Sequence, residues 1–214
     1  MNAIQTLAIS ALPVIFAITL HEAAHGYAAR HFGDPTAWQL GRISLNPLQH
    51  IDPVGTLLVP AMLYLISNGA FVFGWAKPVP VNFGNLRHPK KDMLWVAGAG
   101  PAANLAMAIG WTMVLKAVVG VPDFVFTDAL KEMARAGIAW NVGLMVLNLL
   151  PVPPLDGGRI VVSLLPLRAA VKFAQLERYG LFILLGLVFL GILDKILRPF
   201  LALTYTFLMA LFNL

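Results

Sequence analysis

The chain has 214 residues, 59% of them hydrophobic and 12% charged. A soluble domain is about a quarter charged, so the composition excludes an ordinary soluble fold and leaves a polytopic membrane protein. The net charge of +5 is spread over loops, as the positive-inside rule expects, rather than gathered for nucleic acid; cysteine is absent, so any metal must be held by histidine and carboxylate.

The first element is an apolar helix over about Ile4–Arg30, with Pro13 as a kink point. It lacks a basic leader region, so it reads as a retained helix and not a cleaved signal. Near its far end stands His21-Glu22-Ala23-Ala24-His25. Positions four apart share a helix face, so His21 and His25 can offer two imidazole nitrogens to one metal ion. Glu22, one residue on, is placed to act as a general base on a water at that metal. At ~1.5 Å per residue, His21 lies about 26 Å beyond Ile4, deep in or at the far edge of a ~30 Å hydrocarbon core. Ala23, Ala24, Gly26, Ala28 and Ala29 are small and allow close helix packing.

Residues 31–92 change character. Ala37–Leu45 and Phe71–Val81 read as two strands of a small hairpin, the second an edge strand because Pro78 and Pro80 cannot donate to a ladder. Pro53–Ile66 between them is apolar but too short for an ordinary span, which suits a re-entrant or interfacial segment. Met93–Val119 is the second span and opens with the small-residue run Gly98–Asn104. Gly120–Arg135 reads as a polar linker and Ala136–Leu150 as the third span. That span runs into Pro151-Val152-Pro153-Pro154-Leu155-Asp156-Gly157-Gly158. A short helix over Arg159–Leu165 and two more over Leu181–Leu193 and Phe200–Leu214 follow. The expected fold is an α-helical polytopic membrane protein. About five transmembrane helices surround a three-helix catalytic core, with a β-hairpin or re-entrant region between the first two core helices. A single domain covers 1–214, with the core at about 4–165 and accessory helices at about 178–214.

Charge gives an orientation. If the first helix ends inside, Arg30, Arg42, Lys77, Arg87, Lys90, Lys91, Arg159, Arg168, Lys172 and Arg178 fall inside. Lys116, Lys131, Arg135, Lys195 and Arg198 fall outside or near it. The bias puts the N-terminus outside and the C-terminus inside.

A catalytic zinc takes three protein ligands and keeps one open position. Of ten acidic residues, Glu22 is the base candidate; Asp123, Asp128 and Glu132 lie on the opposite side of the membrane from His21, and Glu177 and Asp194 border the late helices. Asp34, Asp52 and Asp92 sit in polar surroundings where an exposed carboxylate needs no further reason. Asp156 directly follows an apolar proline run at the end of a span, where an ionised group requires a partner. His31, His50 and His88 read as loop or interfacial histidines.

With these residues in hand, the chain resembles the site-2 protease family of intramembrane zinc metalloproteases. His21-Glu22-x-x-His25 matches the family's first motif. Asn148-Leu149-Leu150-Pro151-Val152-Pro153-Pro154-Leu155-Asp156-Gly157 matches every fixed position of its second, N-x-x-P-x-P-x-L-D-G. Gly100-Pro101-Ala102-Ala103-Asn104 is similar to its central-helix motif. Gly41–Pro47 and Gly74–Asn82 are similar to the inter-helix region of compact members without PDZ or CBS insertions. The resemblance implies one Zn2+ held by His21, His25 and Asp156, with Glu22 as base. It leaves Asn148 open between substrate or oxyanion contact and helix packing, and Asn104 between packing and lining the site. It implies an endopeptidase acting on transmembrane proteins or peptides in the bilayer of a prokaryotic inner membrane, with the active site facing the cytoplasm and no nucleic-acid partner. A substrate helix must unwind before it is cut, and the edge near Phe71–Val81 offers strand addition to its freed backbone. The competing readings are a membrane-embedded zinc amidase or lipid hydrolase, and a non-catalytic metal-binding membrane protein.

Overall fold

The computed structural model describes residues 3–66 and 74–214. Among them the chain is helical throughout, with no strand. Helix α1 (Ala3–His31) is crossed by few polar groups before His21, and Pro13 lies buried within it. A one-turn helix α2 (Thr36–Gln39), a 3₁₀ turn at Pro47–His50 and a π-helical stretch at Pro53–Leu58 lead into α3 (Val59–Ile66). Helix α4 (Pro89–Val119) opens on proline, whose missing N–H is no loss at a first helical position. Asp92, one turn in, accepts the His88 N–H at 2.7 Å. Helix α5 (Thr127–Asn148) returns along α4. Then follow α6 (Asp156–Leu164), α7 (Leu167–Ala174), α8 (Gly180–Phe189) and α9 (Ile192–Leu211).

The core is the three-helix unit α1, α4 and α5, in which each helix packs on the other two. Ala17 pairs with Asn104 and His25 with Val96, so α1 and α4 run antiparallel. Ile138, Val142, Met145 and Val146 of α5 pack with Ala108 and Leu115 of α4 and with Leu208 of α9. Helix α6 lies against α4. Two helical stretches, residues 8–31 and 89–119, are long and apolar enough to cross a membrane alone.

Five expectations are corrected. Ala37–Leu45 is not a strand: Asp34 accepts the Thr36 N–H at 3.1 Å and starts a helical turn, and the Arg42 N–H closes it on the Ala37 carbonyl at 2.8 Å. Local side-chain bonding outweighs a two-residue alternation here. Of Phe71–Val81, residues 71–73 lie outside the described residues, and 74–81 is extended but has no strand partner. The Gly120–Arg135 linker is helical from Thr127 onward, because Asp128, Lys131, Glu132 and Arg135 recur at helical spacing and so share one polar face. The two late helices do not both span: α8 has 10 residues, ~15 Å at 1.5 Å per residue against a ~30 Å core. Gly191, with φ 65, ends it, and the path bends by 83° into α9. The end of α9 then reaches the end of α4, where Lys116 Nζ donates to the Asn213 carbonyl at 3.1 Å. Asn213 therefore lies at the opposite end of the bundle from the α4 start, not on the same side as expected.

Candidate metal centre

His21 and His25 stand one turn apart on α1, and Asp156 is the first residue of α6. The chain reaches Asp156 by leaving α5 at Leu149–Leu150 through Pro151, Pro153 and Pro154, none of which can continue a helix by donating an N–H. Gly157 and Gly158 permit the tight return, since a Cβ on Gly158 would lie 2.5 Å from the Pro153 nitrogen. The backbone these glycines admit is the chain's own.

The three side chains converge. Asp156 Oδ2 is 3.2 Å from the Nε2 of His21 and 3.2 Å from that of His25, and the two Nε2 atoms are 3.1 Å apart. All three residues are buried, at 7%, 8% and 7% exposure. Gly100 of α4 faces the pair: a Cβ there would overlap the His25 ring and come within 2.7 Å of His21 Nε2.

Proton positions follow from the partners. His25 Nδ1 lies 2.7 Å from the Val96 carbonyl oxygen, which can only accept, so Nδ1 carries the proton and donates. His21 Nδ1 lies 2.6 Å from Asn104 Oδ1. Asn104 Nδ2 donates to the Ala17 carbonyl at 3.1 Å, which turns Oδ1 toward His21 as the acceptor. With Nδ1 facing an acceptor, each imidazole turns its Nε2 to the other ring and to a buried carboxylate oxygen that accepts no hydrogen bond. Three lone-pair donors within 4.8 Å of one another repel unless a cation lies between them. Two histidines and one carboxylate are a ligand set that zinc accepts with a position left open.

Glu22 Oε2 accepts the Val79 N–H at 2.8 Å. Val79 lies in the extended Gly74–Asn82 segment, which is tied inward along its length. The Trp75 and Lys77 N–H groups donate to the Gly55 and His50 carbonyls at 3.0 and 2.8 Å, and Arg42 donates to the Lys77 and Pro78 carbonyls. Pro78 and Pro80 lack an N–H, and the Trp75, Lys77 and Val79 amides already have partners.

Asn104 is bonded to His21. Asn148 closes on the Leu144 carbonyl of its own helix at 3.0 Å. Asp34 and Asp92 are buried, not exposed as expected. Asp34 accepts from Thr36 Oγ1 at 2.5 Å, the Asn82 N–H at 2.6 Å and Asn85 Nδ2 at 3.0 Å. Burial alone pushes its carboxyl up, but the Thr36 and Asn85 side chains and the Asn82 and Thr36 amides outweigh it and hold it below the usual aspartate range. Asp52 caps the Val54 and Gly55 amides at 2.9 and 2.7 Å. His50 is buried, with Nε2 3.0 Å from the Ser44 carbonyl. His88 is exposed. The Val96 carbonyl and Val79 amide could not be read from side-chain identity. Gly100 carried a signal, as the one glycine directly before Pro101 in the small-residue run.

Comparison with known proteins bears on this arrangement. The model of Peptidase family M50 matches residues 124–191. The chain is 38% identical over 193 residues to the Bacillus subtilis protein named "Putative zinc metalloprotease YwhC", covering 89% of this chain and 84% of that one. It is 29% identical over 185 residues to the Mycolicibacterium smegmatis protein named "Putative zinc metalloprotease Rip2", covering 85% of this chain and 66% of the relative. It is 32% identical over 147 residues to the Mycobacterium tuberculosis protein of the same name, covering 67% of this chain and 52% of the relative. No solved structure matches the chain.

Proposed function

Since the chain belongs to peptidase family M50 and is a zinc metalloprotease of the site-2 type, we propose that it is an intramembrane endopeptidase, cutting a peptide bond within or near a transmembrane helix of a membrane protein. The observation that carries this reading is the set of three bare ligand atoms, within 4.8 Å of one another, buried in an apolar helix bundle. His21, His25 and Asp156 hold a single zinc ion, and Glu22 is the catalytic base. Bound there, zinc supplies Lewis acidity, which polarises a peptide carbonyl and acidifies water. Glu22 takes the proton from the attacking water and delivers it to the leaving amine. The Val79 amide donates to the Glu22 carboxylate and fixes its position. A substrate helix must open locally to expose its carbonyl, and its freed backbone groups need partners inside the bilayer.

The active site faces the cytoplasm and the start of α1 faces the opposite side. The Lys116–Asn213 contact supports placing residue 213 outside as well, a revision of the first expectation. Helix α9 then begins inside, and Lys195 and Arg198 join the inside set, which strengthens the positive-inside bias.

Metal content and cleavage of a transmembrane peptide, measured on wild type and Glu22→Gln, test the roles. Retained zinc with cleavage reduced by at least about 10²-fold is expected. Undiminished cleavage would remove Glu22 as the base. Hydrolysis of lipid but not of peptide would move the substrate class.

A further inference from the structure

Helix α5 contains a fully buried amide, Asn141. Its Nδ2 donates to the Gly137 carbonyl at 2.8 Å, and its Oδ1 accepts from Asn104 Nδ2 at 3.0 Å. A carbonyl oxygen cannot donate, so Gly137 decides which end of the Asn141 amide faces Asn104. Asn104 in turn has both Nδ2 hydrogens engaged, one on the Ala17 carbonyl and one on Asn141 Oδ1. Only its Oδ1 remains for His21.

We propose that Asn141 is a positioning residue for the metal centre. A relay of amides runs from the Gly137 carbonyl through Asn141 and Asn104. It keeps the His21 proton on Nδ1 and the Nε2 lone pair toward the ligand cluster. The inference rests on the reading that His21, His25 and Asp156 hold zinc. His25 needs no such relay, because the Val96 backbone carbonyl cannot flip. Asn104 can flip: reversed, it would offer N–H to His21 Nδ1 and drive the ring proton onto Nε2, where a ligand lone pair is needed. Helix packing alone is satisfied by an Asn–Asn bond in either orientation. Anchoring both amides on acceptor-only oxygens selects one.

Two measurements test the relay. In full-length, zinc-free wild type, 15N resonances of the His21 ring should place the proton on Nδ1. An unprotonated Nδ1 overturns the relay without any variant. Zinc affinity by chelator competition should fall about 10–100-fold in Asn141→Leu, the range for loss of a group that supports a ligand. Asn141→Asp should recover most of it, because it keeps an oxygen toward Asn104 and, neutral in this buried place, donates to Gly137. Thr112→Val removes a different buried polar group, on α4, which among the described residues bonds to Ala108 of its own helix, and should leave affinity unchanged. Equal affinity in wild type and Asn141→Leu, or equal loss in Asn141→Leu and Thr112→Val, also overturns the relay. If His21→Ala binds zinc like wild type, the metal-site reading fails instead, and the ring resonances still decide the relay.

Discussion

At the scale of single residues, the site depends on one missing carbon and on the direction of a few hydrogen bonds. Gly100 faces both imidazoles, and the methyl group of Gly100→Ala would have to displace rings that are already packed. Zinc content after purification should fall at least about tenfold, in line with disturbance of a ligand's support, while helix content measured by circular dichroism stays unchanged. Asp34 makes a different prediction. Its folded carboxyl titrates below the unfolded value, so its contribution to stability is complete above the unfolded value, ~3.9, and is lost as pH falls through the folded one. The thermal midpoint should therefore drop as pH falls below about 4, with a shallower slope in Asp34→Asn. An identical slope in the two proteins would remove Asp34 as a source.

At the scale of elements, the Gly74–Asn82 segment works as a brace on α1. Its one donor between Pro78 and Pro80 is the Val79 N–H, and that donor is on Glu22. Val79→Pro removes the N–H, and Val79→Ala keeps it. Cleavage should fall about 10²-fold in the proline variant, the penalty for a catalytic group about 1 Å out of place. The alanine variant should stay near wild type and both should keep zinc. Equal loss in the two would assign the effect to the Val79 side chain, which is buried. The strand expectation at Ala37–Leu45 fails for a reason of the same scale. Alternation over nine residues is a weak signal, and one aspartate bonded to the backbone two residues on is enough to start a helical turn.

At the scale of the molecule, orientation can be tested because the chain has no cysteine. Single cysteines at Asp123, Lys172 and Asn213, all exposed, can be probed on intact cells with an impermeant maleimide. Labelling at 123 and 213 but not at 172 is expected. Labelling at 172 alone would invert the molecule, and protection of 213 together with labelling of 123 would return residue 213 to the cytoplasmic side.

The grouping of His21, His25 and Asp156 was legible in the chain because its chemistry is carried by side-chain identity at short spacing. Two histidines four apart declare a shared helix face, and a carboxylate after a proline run at the end of a span declares a need for a partner. Helices α1 and α4 were legible for the same kind of reason, since length and hydropathy are local properties. Tertiary structure alone decided what depends on distant backbone. The Val96 carbonyl on His25 and the Val79 amide on Glu22 are groups that nearly every residue possesses, so no residue type marks them. The end of α9 reaches the end of α4 through the 83° bend after α8, which hydropathy could not register because α8 and α9 are each apolar. In sequence Asn104 reads as packing or lining the site and nothing singles out Asn141, and only the packing of α4 on α5 turns them into a directed path to His21.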